Sequence, residues 1–233
     1  MADQPGEAKE YPLSDIVHDL KTPIAAIKSY ADLIEQFGEL NERQLHFVGR
    51  IVQATEKMTT LVNDVIDLAW VEGNMELKPT LCNLSDIAKS EINALTEYAH
   101  EHEVRVVLVS AENLVPLHCD EHRIHQVFSN LLSNSIKYNR RGRDVRVHIA
   151  RQDHELIVKI KDEGLGIAPT DIPHIFERFY RAPREEASPI EGTGLGLSIV
   201  KAIIERHNGT IGVDTELEMG STFWFTLPLA QNT

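Results

Sequence analysis

Apolar residues recur at steps of three and four from near the start of the chain: Leu13, Ile16, Val17, Leu20, Ile24, Ile27, Ala31 and Ile34. That period predicts a helix, and Phe37-Gly38 ends it, because glycine leaves the helical region readily. A second helix is predicted after Asn41, an N-cap residue with Gln44 three places on in capping-box spacing. Its stripe is Leu45, Val48, Ile51/Val52, Thr55, Met58/Thr59, Val62, Val65/Ile66 and Ala69. Such a run, sustained over several heptads, marks a bundle or coiled-coil seam. Two helices joined by a short turn make an antiparallel hairpin. Each carries an apolar face wider than one partner covers, and pairing two hairpins into a four-helix bundle predicts a homodimer. The alternative is a monomer in which a second domain covers that face.

The pattern breaks at Gly73, Asn74 and Pro79. The chain therefore divides into a flexible lead-in (1–10), a helical hairpin (11–72), a linker (73–80) and a second domain (81–230). In the second domain a helix is predicted over Ser85–His102, then β-branched segments at Val104–Val109 and Val115–His118, and a long helix over Asp120–Tyr138. Alternating strands follow at Val145–Arg151 and Leu156–Lys161, then a glycine loop and a short helix at Thr170–Phe179. A Pro- and Glu-rich loop leads to a helix over Leu195–His207, which Asn208-Gly209 ends, and Thr210–Asp214 with Thr222–Leu227 closes the chain as a hairpin. The fold class is α+β multidomain: a helical hairpin, then an α/β sandwich with a mixed sheet. No internal repeat is visible.

Composition narrows the function. The 233 residues carry 23 Lys+Arg against 36 Asp+Glu, a net charge of −13, which disfavours nucleic acid and anionic membrane surfaces as partners. No segment has the roughly 20 apolar residues that span a bilayer, and the polar, acidic Met1–Glu10 predicts no signal peptide. The expectation is a cytoplasmic protein with no membrane contact of its own. Cys82 and Cys119 fall in no metal or redox spacing and read as small core residues of a reducing compartment. Arg140–Arg143 and Arg184–Glu186 read as solvated loops.

Three segments of the second domain carry chemistry. On the long helix, Asn130, Asn134 and Lys137 share a face, with Tyr138 next. An amide oxygen can coordinate magnesium, a lysine can neutralise phosphate and an aromatic ring can lie against a base. An exposed polar face near a helix end accounts for these residues equally well. The second segment, Asp162-Glu163-Gly164-Leu165-Gly166-Ile167, follows an alternating strand. There a buried carboxylate can accept from a purine amino group and glycines let backbone approach a ring; the plain alternative is an acidic glycine turn. The third, Gly192-Thr193-Gly194-Leu195-Gly196-Leu197, opens a helix whose N–H groups and dipole suit phosphate. Its spacing is neither that of a P-loop nor that of a dinucleotide-binding turn. The irregular Arg181–Glu191 reads as a mobile lid hinged on those glycines, with Phe176, Phe179 and Tyr180 either seating it or filling core.

In order and spacing these segments resemble the N, G1, F and G2 boxes of sensor histidine kinases, whose catalytic domain is shared with gyrase, a heat-shock chaperone and mismatch-repair ATPases. His18-Asp19-Leu20-Lys21-Thr22-Pro23 resembles the phosphoacceptor H-box, and the likeness runs from Leu13 to Leu229. It implies ATP and magnesium as cofactors, with Asn134 the main magnesium ligand and Asn130 its neighbour. Lys137 and Arg181 would contact phosphate, Tyr138 would lie against adenine and Asp162 would bind its amino group. Gly164 and Gly166 would shape the adenine pocket, and Gly192, Gly194 and Gly196 would hinge the lid, with Thr193, Leu195 and Leu197 in the same nucleotide-binding segment. The hydrolysing relatives place a glutamate where Asn130 stands, and an amide is no base, so this site is expected to hold ATP without hydrolysing it. Glu163, Ser135 and Val17 depart from the usual asparagine, alanine and serine without removing a chemical group of known role.

The resemblance further implies autophosphorylation of His18 by ATP, then transfer to an aspartate of a response regulator's receiver domain, with regulator phosphatase activity as a reverse function. A neutral imidazole is available near pH 7. Asp19 can take a proton or hydrogen bond from it, and Thr22, one turn on, can place a water. Pro23 offers no N–H to the Asp19 carbonyl and is expected to kink the helix. The input domain is expected to lie outside this chain, and the full-length protein could be membrane-anchored through it. The rivals are an ATP hydrolase of the same superfamily, which Asn130 opposes, and a dimeric scaffold with a vestigial site, which the intact Asn134, Lys137 and Asp162 oppose. Among the other histidines, His118, His122 and His125 lack a completing carboxylate or cysteine and predict no metal site.

Overall fold

The computed structural model describes residues 13–73, 76–110, 114–182 and 193–229, in two compact units that divide after Asn74. The first is a hairpin of α1 (Leu13–Phe37) and α2 (Glu42–Glu72). The capping box forms as the sequence predicts: Asn41 Oδ1 accepts from the Gln44 N–H at 3.0 Å, and Gln44 Oε1 accepts from the Asn41 N–H at 2.9 Å. Ile24 and Ala31 on α1 and Val48 and Thr55 on α2 are buried, each pair one heptad apart. Thr55 is tolerated there because its hydroxyl donates to the Val52 carbonyl at 2.7 Å. Pro23 lies inside α1, which is helical from end to end. A second row at the same spacing stays exposed, Leu20, Ile27 and Ile34 on α1 and Ile51, Met58 and Val65 on α2.

The second unit is built on a five-stranded mixed sheet in the order β2-β4-β5-β7-β6. Its strands are β2 (Arg105–Ser110), β4 (Asp144–Gln152), β5 (Glu155–Lys161), β6 (Ile211–Glu216) and β7 (Gly220–Pro228). β2 runs parallel to β4 and the remaining pairs are antiparallel. A separate ribbon pairs β1 (Thr80–Cys82) with β3 (Leu117–Cys119). Alternation sets the core. Val145, Val147 and Ile149, Leu156, Val158 and Ile160, and Phe223, Phe225 and Leu227 all face inward and are buried. Against them pack α5 (Glu121–Lys137) and α6 (Gly196–Arg206), with Phe128 of α5 edge-on to Phe225 at 5.7 Å. Each such side chain contributes about 1.5–3 kcal/mol of burial.

The structure differs from the sequence reading in three places. The helix expected over Ser85–His102 divides into α3 (Leu84–Ala94) and α4 (Thr96–Glu101) at Leu95, whose backbone (φ −96°, ψ 9°) leaves the helical region. Thr170–Phe179 forms successive turns rather than a helix, closed by Asp171 N–H to Ala168, His174 N–H to Asp171 and Glu177 N–H to His174. Pro173, inside that run, has no N–H to carry a helical ladder. The strand β1 begins at Thr80, in the stretch read as linker. Cys82 and Cys119 are free, buried thiols, as expected.

His207, at the end of α6, is buried and joins two helices: its Nδ1 faces the Ile203 carbonyl at 2.8 Å, and its Nε2 accepts from the Asp120 N–H at 3.0 Å. Asp120 caps α5 through the Arg123 N–H and also accepts from the Lys78 N–H at 2.9 Å. Burial lowers the His207 pKa below its ordinary 6.5, outweighing the raising effects of Ile203 and Asp120. The unfolded chain therefore binds this proton more readily. The stabilisation is complete above about pH 6.5 and is lost as the pH falls from there towards the folded value. Urea midpoints taken from about pH 7.5 down to 5 should fall less steeply for His207→Gln than for the wild type; equal slopes would contradict this.

Candidate functional site

The site begins where β5 ends. β5 and β7 pair in antiparallel register, which brings Ser221 beside Asp162 across 59 residues of sequence. Asp162 is 4% exposed. Its Oδ1 accepts from the Gly164 N–H at 2.9 Å and the Ser221 N–H at 3.1 Å, while Oδ2 has no hydrogen-bond partner among the described residues. Burial pushes its pKa up, and the bonds from the Gly164, Ser221 and Asp162 backbone offset that only in part. The carboxylate is fixed at one oxygen and leaves an acceptor at the other.

Around it the loop is stitched to the end of α5. The Leu165 N–H donates to the Tyr138 carbonyl at 3.2 Å. A Cβ on Gly164 would overlap that carbonyl oxygen, so no larger residue lets the chains approach so closely. Asn139 continues the seam, accepting from the Glu163 N–H at 3.1 Å and donating to the Asp144 carbonyl at 3.3 Å. Gly166 lies against Glu216, and Thr215 Oγ1 accepts from the Ile167 N–H and bridges to Ser221 Oγ.

On α5, Asn130, Asn134, Lys137 and Tyr138 are half-buried. The Lys137 ammonium lies 5.4 Å from the centre of the Tyr138 ring, a cation–π distance. Asn130 turns toward the start of α6: a Cβ on Gly196 would stand 3.0 Å from its Oδ1. α6 has no side-chain N-cap, so its first N–H groups and dipole end suit an anion. Thr193 Oγ1 accepts from the Leu195 N–H, Leu195 is buried core and Leu197 is half-buried. Gly194 has φ +77°, and its missing Cβ lets it lie on the backbone of Phe179 and Tyr180. Tyr180 donates to Asp171 at 2.8 Å, Phe176 is half-buried, and Phe179 and Arg181 are exposed. Gly192 and most of the expected lid, 183–192, lie outside the described residues.

An acceptor at a buried strand end, the Asn130 amide beside the start of α6 and an adjacent lysine and tyrosine together suit an adenine nucleotide. Comparison with known proteins agrees. Residues 119–231 match the Histidine kinase-, DNA gyrase B-, and HSP90-like ATPase family, and residues 8–74 match the His Kinase A (phospho-acceptor) domain. The two matched stretches belong to these families, an ATP-binding domain and a phospho-acceptor domain of the histidine kinase kind. It is 32% identical to Sensor histidine kinase GacS of Pseudomonas protegens, over 93% of this chain and 24% of that protein. It is also 32% identical to Drug sensory protein A of Synechocystis, over 97% and 36%. The chain thus spans about a quarter to a third of the length of these relatives. Among solved structures, full-length ShkA in complex with AMPPNP superposes with TM-score 0.78 at 26% identity, over 95% of this chain and 46% of that one. The histidine kinase AdeS of Acinetobacter baumannii gives 0.64 at 25%, over 92% and 98%.

His18, Asp19 and Thr22 lie on α1, with Thr22 exposed and four residues from His18, one helical turn on. The side chains of His18 and Asp19 lie outside the described residues. Among the described residues no three His, Cys, Asp or Glu side chains gather as a metal site, and His125 is held by Glu91 at 2.7 Å. No helix there is long and apolar enough to cross a membrane. Sequence reasoning missed Ser221, Thr215 and Asn139. Only Asn139 had a visible signal, its place directly after Tyr138; the other two reach the site through strand register.

Proposed function

We propose that this chain is the catalytic core of a sensor histidine kinase that transfers the γ-phosphoryl group of ATP to His18, and from there to an aspartate of a response regulator's receiver domain. The observation that carries the reading is the pairing of the half-satisfied, buried Asp162 carboxylate with the Asn130–Gly196 contact at the start of α6. Asp162 Oδ2 would accept from the adenine amino group, with Tyr138 against the ring. Lys137 and Arg181 would neutralise phosphate, and the α6 N–H groups would hold its oxygens. Asn134, with Asn130 beside it, would hold magnesium, whose role is to neutralise the phosphate charge.

A nitrogen lone pair of neutral His18 attacks the γ-phosphorus, the bond to the β-phosphate oxygen breaks, and ADP leaves. Asp19 accepts the proton from the other ring nitrogen as the phosphoramidate forms. The receiver aspartate then attacks that phosphorus, forming an acyl phosphate and releasing His18. Thr22 would place a water for the reverse, regulator-dephosphorylating activity. Asn130 has no basic atom, which supports kinase over hydrolase. The protein is read as working on the cytoplasmic side, anchored or not through domains beyond this chain. The exposed heptad rows of α1 and α2 support pairing of two hairpins, since an apolar face of that kind marks an interaction surface.

Two experiments check this. Given γ-labelled ATP and magnesium, the wild type should acquire label that survives base and is lost in acid, and His18→Gln should acquire none. Acid-stable label, or steady ATP turnover undiminished in His18→Gln, would contradict it. Light scattering should give twice the chain mass, and Ile27→Asp with Ile34→Asp should reduce it to one; a wild-type monomer would contradict the pairing.

A further inference from the structure

The Arg140–Arg143 run is exposed, as a solvated loop should be, yet each of its arginines reaches a carboxylate on a different segment. Arg141 pairs with Glu103, just past α4, at 3.0 Å. Arg143 pairs with Glu163, in the loop that follows Asp162, at 3.3 Å. Arg140 makes two contacts with one residue: a guanidinium nitrogen donates to the Glu218 carbonyl at 2.7 Å and also to the Glu218 carboxylate. Glu218 lies at the centre of the turn Leu217–Met219 that joins β6 to β7.

That turn is one wall of the loop that carries Asp162. The Glu218 N–H donates to the Leu165 carbonyl at 2.7 Å. A Cβ on Gly166 would overlap the Glu216 carbonyl oxygen, and a Cβ on Gly220 would overlap that of Asp162 itself. The end of α5 is the other wall, where the Tyr138 carbonyl accepts from the Leu165 N–H. Leu165 is thus held through its N–H by one wall and through its carbonyl by the other, and Arg140 spans the two. Glu218 meets Arg140 from a disfavoured backbone: its φ of +66° is left-handed, where glycine or asparagine is the easy choice. A glutamate there, against local preference, points to a task for its side chain.

We propose that Arg140 and Glu218 are positioning residues for the nucleotide base: their pairing clamps the β6–β7 turn to the end of α5 and so sets the Asp162–Gly166 loop against which adenine lies. The proposal rests on the ATP-binding reading above. Both side chains act through Leu165 and Gly166 rather than on the nucleotide, and Arg143 on Glu163 ties the same loop nearer its start. Contacts to the base are the same before and during transfer of the γ-phosphoryl group, so loosening them weakens binding without slowing the saturated reaction.

Autophosphorylation measured across ATP concentrations tests this. Glu218→Asn tolerates the left-handed backbone but shortens the side chain and removes its charge. It should raise the half-saturating ATP concentration about threefold to tenfold and leave the saturating rate unchanged. Arg140→Ala should do the same and Arg140→Lys should fall between. The double variant should lose no more than the larger single, because one contact is removed either way. The unfolding midpoint of Glu218→Asn should not fall, which separates positioning from a merely stabilising role. Equal ATP dependence in all variants, additive losses, a lower saturating rate or a lower midpoint would each overturn the positioning role. Calorimetry with ADP keeps the two readings apart: a wild type that binds none removes the ATP-binding reading and this role with it, whereas wild-type binding with unaltered variants removes this role alone.

Discussion

A single buried carboxylate organises the nucleotide lobe. Asp162 stands at the end of β5 with one oxygen held by two backbone N–H groups, from its own loop and from β7. Removing a carboxylate from water is costly unless hydrogen bonds compensate, and here they compensate on one oxygen only. The raised pKa records the remainder of that cost. The β5–β7 register, the Gly164 approach to Tyr138 and the Asn139 bridge all serve to hold that half-satisfied group in place.

What surrounds it decides the chemistry. In the proposed site a glutamate at position 130 would give a base beside the phosphates, whereas the amide of Asn130 could bind but not take a proton from water. Leu195, at the N-cap of α6, makes no side-chain cap to the first N–H groups of the helix. Lys137, stacked over Tyr138, places positive charge between the base-facing and phosphate-facing ends of the proposed site. In this account the lobe binds and orients ATP, and the nucleophile comes from the other unit.

Much of this was legible in the chain because its causes are local. The Asn41–Gln44 capping box, the heptad seam of Ile24, Ala31, Val48 and Thr55, and the alternation of β4 and β5 depend on neighbours a few residues apart, and all appear in the structure. The residues not foreseen owe their positions to long-range register. Ser221 meets Asp162, and His207 meets Asp120, only because the sheet and helices bring them together. The failed helix at Thr170–Phe179 shows the reverse: an apolar pattern of helical spacing yielded to Pro173 and to turns seated against Gly194.

The two units differ in kind, a hairpin with exposed apolar rows and a sandwich with a polar, glycine-lined end. The most direct test of the account is calorimetric titration of ADP into wild type and Asp162→Asn, with thermal unfolding of both. An asparagine oxygen can still accept from Gly164 and Ser221, but its amide presents a donor where adenine presents one. The account predicts an affinity loss of about tenfold to a hundredfold with no fall in the unfolding midpoint at neutral pH, because the variant buries no charge. An unchanged affinity in a folded Asp162→Asn protein would contradict it.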